Sequence, residues 1–164
     1  MIKEFEFYHG VTFTKLIHSS IGKVSIRPFP TDGNSSYILN ENIGLYIKYS
    51  SKRMTPWRFS MQKDHQDELL LMKNNLSEVF LLLVCGEDGI VTLSFDEVKQ
   101  ILNDAHGDVE WISASRNPRK EYTIKGSDGK LGRKVGKSDF PGKIIKHLDK
   151  HLDKVEVQQH YTWQ

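Results

Sequence analysis

The stretch Val79-Phe80-Leu81-Leu82-Leu83-Val84-Cys85 is an unbroken apolar run, bounded by Ser77-Glu78 before it and Gly86-Glu87-Asp88-Gly89 after it. Its length suits a strand better than a helix, and its branched and aromatic residues agree. A strand with no polar side must be covered on both faces, so it belongs inside a sheet with layers above and below. Upstream, residues 44–50 alternate Leu45, Ile47 and Tyr49 against Tyr46 and Lys48. Asn40-Glu41-Asn42 joins them to residues 36–39 as a β-hairpin. Between this hairpin and the apolar run, 64–76 reads as a helix. Leu69, Leu70, Met72 and Leu76 form its buried side, and Asp64 is its N-cap candidate. A strand–helix–strand passage over 44–85 implies a parallel pair in a mixed sheet.

Outward from this centre the signals are weaker. Phe13, Leu16 and Ile17 predict a short helix over 8–19, against a β-branched content that disfavours one. Residues 23–29 alternate as a strand and end at Pro28 and Pro30. The stretch 51–56 reads as a polar loop into Trp57-Arg58-Phe59, whose aromatics plug the core. Ser94-Phe95-Asp96-Glu97 is a capping box, and the helix behind it buries Val98, Ile101 and Leu102 and stops at Gly107. Strands are expected over 109–115, 122–125 and 131–135. A closing amphipathic helix over 142–154 carries Ile145, Leu148, Leu152 and Val155, and the tail either adds a strand or frays. The expected class is α/β (α+β): one domain over 1–164 with a mixed sheet, a parallel β-α-β crossover and flanking helices. Residues 1–105 form its core, and 106–164 add a late basic β-ribbon and a helix.

Composition narrows the function classes. The chain has 164 residues, a hydrophobic share of 38% and a charged share of 27%. These values suit a globular protein with a real core. One cysteine, Cys85, excludes an intrachain disulfide and any CxxC site. The start MIKEFEFYHG has no apolar signal segment, and no run approaches membrane-spanning length. The expected setting is therefore cytoplasmic, with no membrane partner. The glycines fit neither a P-loop nor a dinucleotide fingerprint.

The net charge of +2 conceals a polarity. Residues 116–137 hold Arg116, Arg119, Lys120, Lys125, Lys130, Arg133, Lys134 and Lys137 against only Glu121 and Asp128. That segment carries +6 and the remainder −4. A basic ribbon with glycines at 126, 129, 132 and 136 can follow a phosphate backbone, and Tyr122 could stack on a base. Arg116, Arg119, Lys120, Lys130, Arg133 and Lys134 are the contact candidates, with Lys52 and Arg53 as a smaller cluster beside Trp57. A solvated hairpin with edge-protecting lysines reads the same way, as does a ribbon that meets an acidic protein partner. His147 and His151 have the helical spacing of a metal pair, though paired residues on a polar face share it. Cys85 is expected to be a buried, inert thiol.

In element order the first two-thirds of the chain resembles the PD-(D/E)XK nuclease-like fold, whose core runs α-β-β-β-α-β. That family places an Asp at the start of the second strand and an acid-x-Lys on the third. The two acids hold a divalent metal, and the Lys positions or activates the attacking water. Lys48 matches the Lys, and Tyr46 stands where the acid belongs. A phenol is a poor ligand for a hard cation. The resemblance implies Asp32 as the first acid, with Asn34 and Glu41 as other choices. It implies a second acid moved to the following helix as Glu68 or Asp67, with Asp64 and Gln66 nearby. Asp32 and Glu68 would then hold Mg²⁺ for phosphodiester hydrolysis of a nucleic acid. The alternative is a non-catalytic binding protein on the same scaffold, an accessory factor of the phage or plasmid type.

Overall fold

The computed structural model describes residues 1–105 and 109–162, and of 151–162 the backbone only. The chain runs α1 (Glu4–Ile17), β1 (Ile26–Pro28), β2 (Ser36–Leu39), β3 (Ile43–Ser50), β4 (Trp57–Gln62) and α2 (Lys63–Asn75). It continues through β5 (Glu78–Cys85), β6 (Gly89–Ser94), α3 (Phe95–Ile101), β7 (Val109–Ser115), β8 (Thr123–Gly126), β9 (Gly129–Lys130) and α4 (Asp139–Thr162). The class is α+β. Among the described residues no helix is long and apolar enough to cross a membrane.

The apolar run is β5, and it is buried on both faces. Parallel β3 and antiparallel β6 flank it in a sheet of order β1-β2-β3-β5-β6. Its alternation divides the core in two. Val79, Leu81, Leu83 and Cys85 meet Trp57, Phe59, Met61, Ile112, Ala114 and Ile124, together with α2 and α3. Phe80, Leu82 and Val84 meet Leu16 of α1 and Phe140 and Ile144 of α4. A fully buried side chain of this kind contributes about 1.5–3 kcal/mol, so neither covering layer is dispensable.

The layer on the first face is a second sheet, β4-β7-β8-β9. It includes β4, a strand at the stretch that follows the 51–56 loop and that no strand was expected to occupy. Trp57, Phe59 and Met61 are buried while Arg58, Ser60 and Gln62 are exposed, the period of a one-sided strand. The aromatics do plug the core, but from a strand paired antiparallel with β7. The late ribbon belongs to the same sheet, and two of its glycines have a packing purpose. A side chain at 126 would collide with the Ile101 carbonyl, and one at 129 would stand 2.6 Å from the Gln100 carbonyl. Gly126 and Gly129 thus admit α3 against the ribbon.

Other boundaries move for local reasons. α1 begins at Glu4, where Glu4 and Glu6 favour the positive helix end. Its Thr12 and Thr14 hydroxyls donate to the carbonyls of Tyr8 and Gly10, so the threonines fit within the helix. α2 takes Gln62 at its N-cap and places Asp64 in the first turn. Its buried side is Gln66, Leu69 and Met72, while Leu70 is exposed. The capping box forms as expected: Ser94 accepts from the Glu97 amide and Glu97 from the Ser94 amide. Residues 131–135 make one bridge, Tyr122 with Val135, in place of a strand. α4 carries the backbone on to Thr162, so the tail is helical and not a strand. The Gly107 stop and the side chains of His151, Leu152 and Val155 lie outside the described residues.

Candidate functional site

Three elements converge on an open cavity of about 540 Å³. The β1–β2 connection supplies Thr31, Asp32, Gly33 and Asn34. β3 supplies Tyr46, and α2 supplies Asp64, His65, Asp67 and Glu68. Each is placed by local rules. Alternation along β3 turns Tyr46 and Lys48 toward the face that α2 and β4 cover. Helical spacing puts residues 64, 67, 68 and 71 on the side of α2 that meets the connection. The connection is pinned at both ends. Phe29 is buried in the core and its amide donates to the Ser36 carbonyl. The Tyr37 hydroxyl donates to the Asn34 carbonyl at 3.0 Å, and buried His9 meets that hydroxyl through Nδ1 at 2.7 Å.

Of the acids expected from the sequence, Asp32, Asp64, Asp67 and Glu68 all line this cavity. Their surroundings differ. Asp67 pairs with Lys63 at 3.0 Å along the exposed side of α2. Glu68 is half-buried beside Tyr46. Burial, then the Glu68 and Asp64 carboxylates, together with a hydrogen bond toward Glu68, raise the Tyr46 pKa well above that of an ordinary phenol. Glu68 Oε1 is fully buried and accepts no hydrogen bond, and the Thr31 hydroxyl is equally buried and unpartnered. Both lie close to Gly33: a Cβ there would stand 3.8 Å from each Glu68 oxygen and 3.9 Å from Thr31 Oγ1. A buried acceptor without a donor is costly, so a cation or a water beside Glu68 would relieve it.

These donors fit Mg²⁺ in kind, because carboxylate oxygens suit a hard cation. Among the described residues no three His, Cys, Asp or Glu are grouped as a ligand set. The chain would therefore supply one or two carboxylates and leave the other positions to water, as is usual for this ion.

Lys48 is not among the residues that line the cavity. Its Nζ donates to the Ser60 carbonyl and lies 3.0 Å from His65 Nδ1. Burial lowers its pKa to about 8, against the opposing pull of Asp64. His65 stands between Lys48 and the cavity. Its own pKa is lowered by burial and then by the Lys48 charge. In the sequence His65 is the better placed of the histidines, close to the start of α2 after the Lys48 strand; only the fold sets it against Lys48.

The basic candidates separate into two groups. Arg116 turns inward to Asp88, with Nε to Oδ2 at 2.9 Å and Nη2 to Oδ1 at 2.6 Å. Arg133 pairs with Glu97 at 2.8 Å, a carboxylate that Lys143 also meets at 2.6 Å. Arg116 is thereby tied into the fold, whereas Arg133 stays exposed over 56% of its side chain despite its pair. Arg119, Lys120, Lys130, Lys134, Lys52 and Arg53 are exposed, although Lys52 Nζ donates to the Pro56 carbonyl. Tyr122 is fully buried and donates to Asp88, which removes it as a base-stacking surface. His147 packs against Phe80 and meets Ser77, and Cys85 is a buried thiol whose pKa burial raises.

Comparison with protein-family models, with curated proteins and with solved structures finds no match for this chain.

Proposed function

We propose that the protein engages nucleic acid and hydrolyses its phosphodiester bonds at the cavity between the β1–β2 connection and α2, with Mg²⁺ as cofactor. One observation carries this reading: Glu68, from the helix that follows β3, brings a carboxylate beside Tyr46. An acid from α2 thus stands next to the position where the acid-x-Lys pattern carries a tyrosine. Asp32 lines the opposite wall. The order α1-β1-β2-β3-α2-β5, with β4 inserted before α2, follows the nuclease-like core. Asp32 and Glu68 would hold the ion, with Asp67 as the neighbouring acid. The ion when bound supplies charge neutralisation at the phosphate and an acidified water. Exposed Arg119, Lys120, Lys130, Lys134, Lys52 and Arg53 would meet the phosphate backbone. The buried single thiol is in keeping with a reducing, cytoplasmic setting.

The test is cleavage of plasmid DNA, linear DNA and RNA with Mg²⁺ or Mn²⁺. The wild type should cleave at least one of them. Glu68→Gln and Asp32→Asn should each be slower by about 100-fold or more, the scale of losing a charge-stabilising group. No cleavage of any substrate, or wild-type rates in both variants, would sink the catalytic reading.

A second reading has its own support in Tyr46, a phenol at the position where the acid-x-Lys pattern carries a metal-binding acid. It is a binding protein without catalysis, for a nucleic acid or an acidic protein. DNA binding that persists without cleavage favours it, and the double variant Lys120→Ala, Lys134→Ala should then flatten the salt dependence. No DNA binding at low salt would favour the acidic protein partner.

A further inference from the structure

The geometry points to His65, not Lys48, as the side chain that offers a hydrogen bond to a phosphate oxygen in the cavity, with Lys48 acting as its positioning residue. The inference rests on the phosphodiester reading above and assigns a role within that same site.

His65 Nδ1 receives the main-chain N–H of Gln62 at 3.2 Å. That donor cannot rotate or change its protonation. Lys48 Nζ approaches the same atom at 3.0 Å. The Gln62 amide can only donate, so it makes Nδ1 an acceptor; the Ser60 carbonyl, which takes the Lys48 ammonium, also faces the ring. A neutral imidazole that accepts at one nitrogen carries its proton on the other. His65 is thus held as the Nε2–H tautomer. Its ring lines the cavity, and Nε2 lies 4.0 Å from Asp64 Oδ1, too far for a full hydrogen bond. The Nε2–H is left for the cavity that Asp32, on the β1–β2 connection, and Glu68, one turn along the same helix, also line.

Lys48 does not reach that space itself. Its ammonium is occupied by the Ser60 carbonyl and by His65. What it contributes is orientation: with the Gln62 amide it sets both the tautomer and the tilt of the ring, as a second partner does for many functional histidines. The position that the acid-x-Lys pattern assigns to water activation here acts one residue removed from the ligand. The ligand class that suits the donor is an oxyanion, a phosphodiester oxygen, since neighbouring carboxylates leave room for a cation between them.

Two measurements on the full chain test this. The first is long-range ¹H–¹⁵N NMR of the labelled protein at neutral pH, with His65 assigned by the spectrum of His65→Gln. His65 should show a protonated Nε2 and an imine-type Nδ1, and Lys48→Met should move Nδ1 toward the position of a free imine nitrogen. A protonated Nδ1, an imidazolium, or no response to Lys48→Met overturns the inference. The second is binding of a short DNA duplex at low salt with Mg²⁺, read by fluorescence anisotropy. His65→Phe should bind about 10-fold or more weakly, the effect of one hydrogen bond to a charged group. His65→Gln, whose amide can place an N–H near the Nε2 position, should recover most of that loss. Equal binding by wild type and His65→Phe overturns the inference. A wild type with the expected tautomer that binds no DNA overturns instead the nucleic-acid reading on which it rests.

Discussion

Two polar clusters in this molecule are built from similar side chains and solve opposite problems. At the β5–β6 turn, Asp88 receives both a bidentate Arg116 and the Tyr122 hydroxyl, and Arg116 Nη1 also reaches the carbonyls of Asn117 and Lys120. The hydrogen bonds from Arg116 lower the Asp88 pKa to about 2. This network ties the turn of the first sheet to the start of the second. At the cavity, Glu68 keeps a buried oxygen without a donor and Tyr46 sits against carboxylates, while behind His65 burial holds Lys48 at a pKa of about 8. Among the described residues Glu68 Oε1 and the Thr31 hydroxyl lack a partner at the cavity, whereas Asp88 is met from several sides. A satisfied network serves the fold, and an unmet buried group calls for a further partner such as a water or a ligand.

Replacing residues on the two sides should therefore give different signs. The largest effect is expected at the turn. Asp88→Ala strands the Arg116 guanidinium and the Tyr122 hydroxyl, and should lower unfolding stability by about 2 kcal/mol in urea titrations, allowing for partial exposure. Its pH dependence checks the cause. The folded pKa lies below the unfolded value of about 4, so the contribution is present above pH ~4 and is lost as pH falls through about 2. The wild type should lose this increment across that range and Asp88→Ala should not. An equal acid slope in both proteins would break the contrast.

Next in size is Lys48→Met. A buried ammonium with a lowered pKa costs stability while protonated, in full below pH ~8, and the cost fades as pH rises toward the unfolded value of about 10.4. The variant should compare best with the wild type at neutral pH, by an advantage of about 1 kcal/mol over its standing near pH 10. A difference that does not vary over this range would show that the charge is not what the site strains against.

The smallest shift is expected for Glu68→Gln. The substitution keeps the shape of a half-buried side chain and removes a charge that stands among other carboxylates, so stability should be unchanged or higher by about 0.5 kcal/mol. A clear loss would place Glu68 among the fold-holding groups and remove the distinction between the two clusters.

Several of these features are legible from residue order alone. The β5 run, the hairpin into β3 and the Ser94 capping box follow from spacing, whereas the carboxylates at 32, 64, 67 and 68 are singled out only by the resemblance to the nuclease-like fold. The β4 strand was also within reach: 57–62 alternate apolar and polar without a break, but Pro56 and the preceding polar stretch suggest a loop. Other features were not. Leu70 and Leu69 are equally apolar, and only the placement of α2 over β3 decides which is buried. Arg116 and Lys120 are equally basic in the sequence. Asp88 lies 28 positions from Arg116, and contact between them makes one a structural pair and leaves the other in solvent.

What the chain order by itself determined is local: which segments are strands and helices, which face of each is apolar, and that a buried central strand demands two covering layers. These follow from short-range sterics and from the period of apolar side chains. What the tertiary structure alone decided is which polar groups meet. The basic segment became two internal pairs and a set of free lysines and arginines, Lys48 came to rest behind His65, and Glu68 came to stand beside Tyr46. Such meetings depend on packing between residues distant in sequence, where a shift of a few ångströms exchanges a hydrogen bond for an unpaired charge.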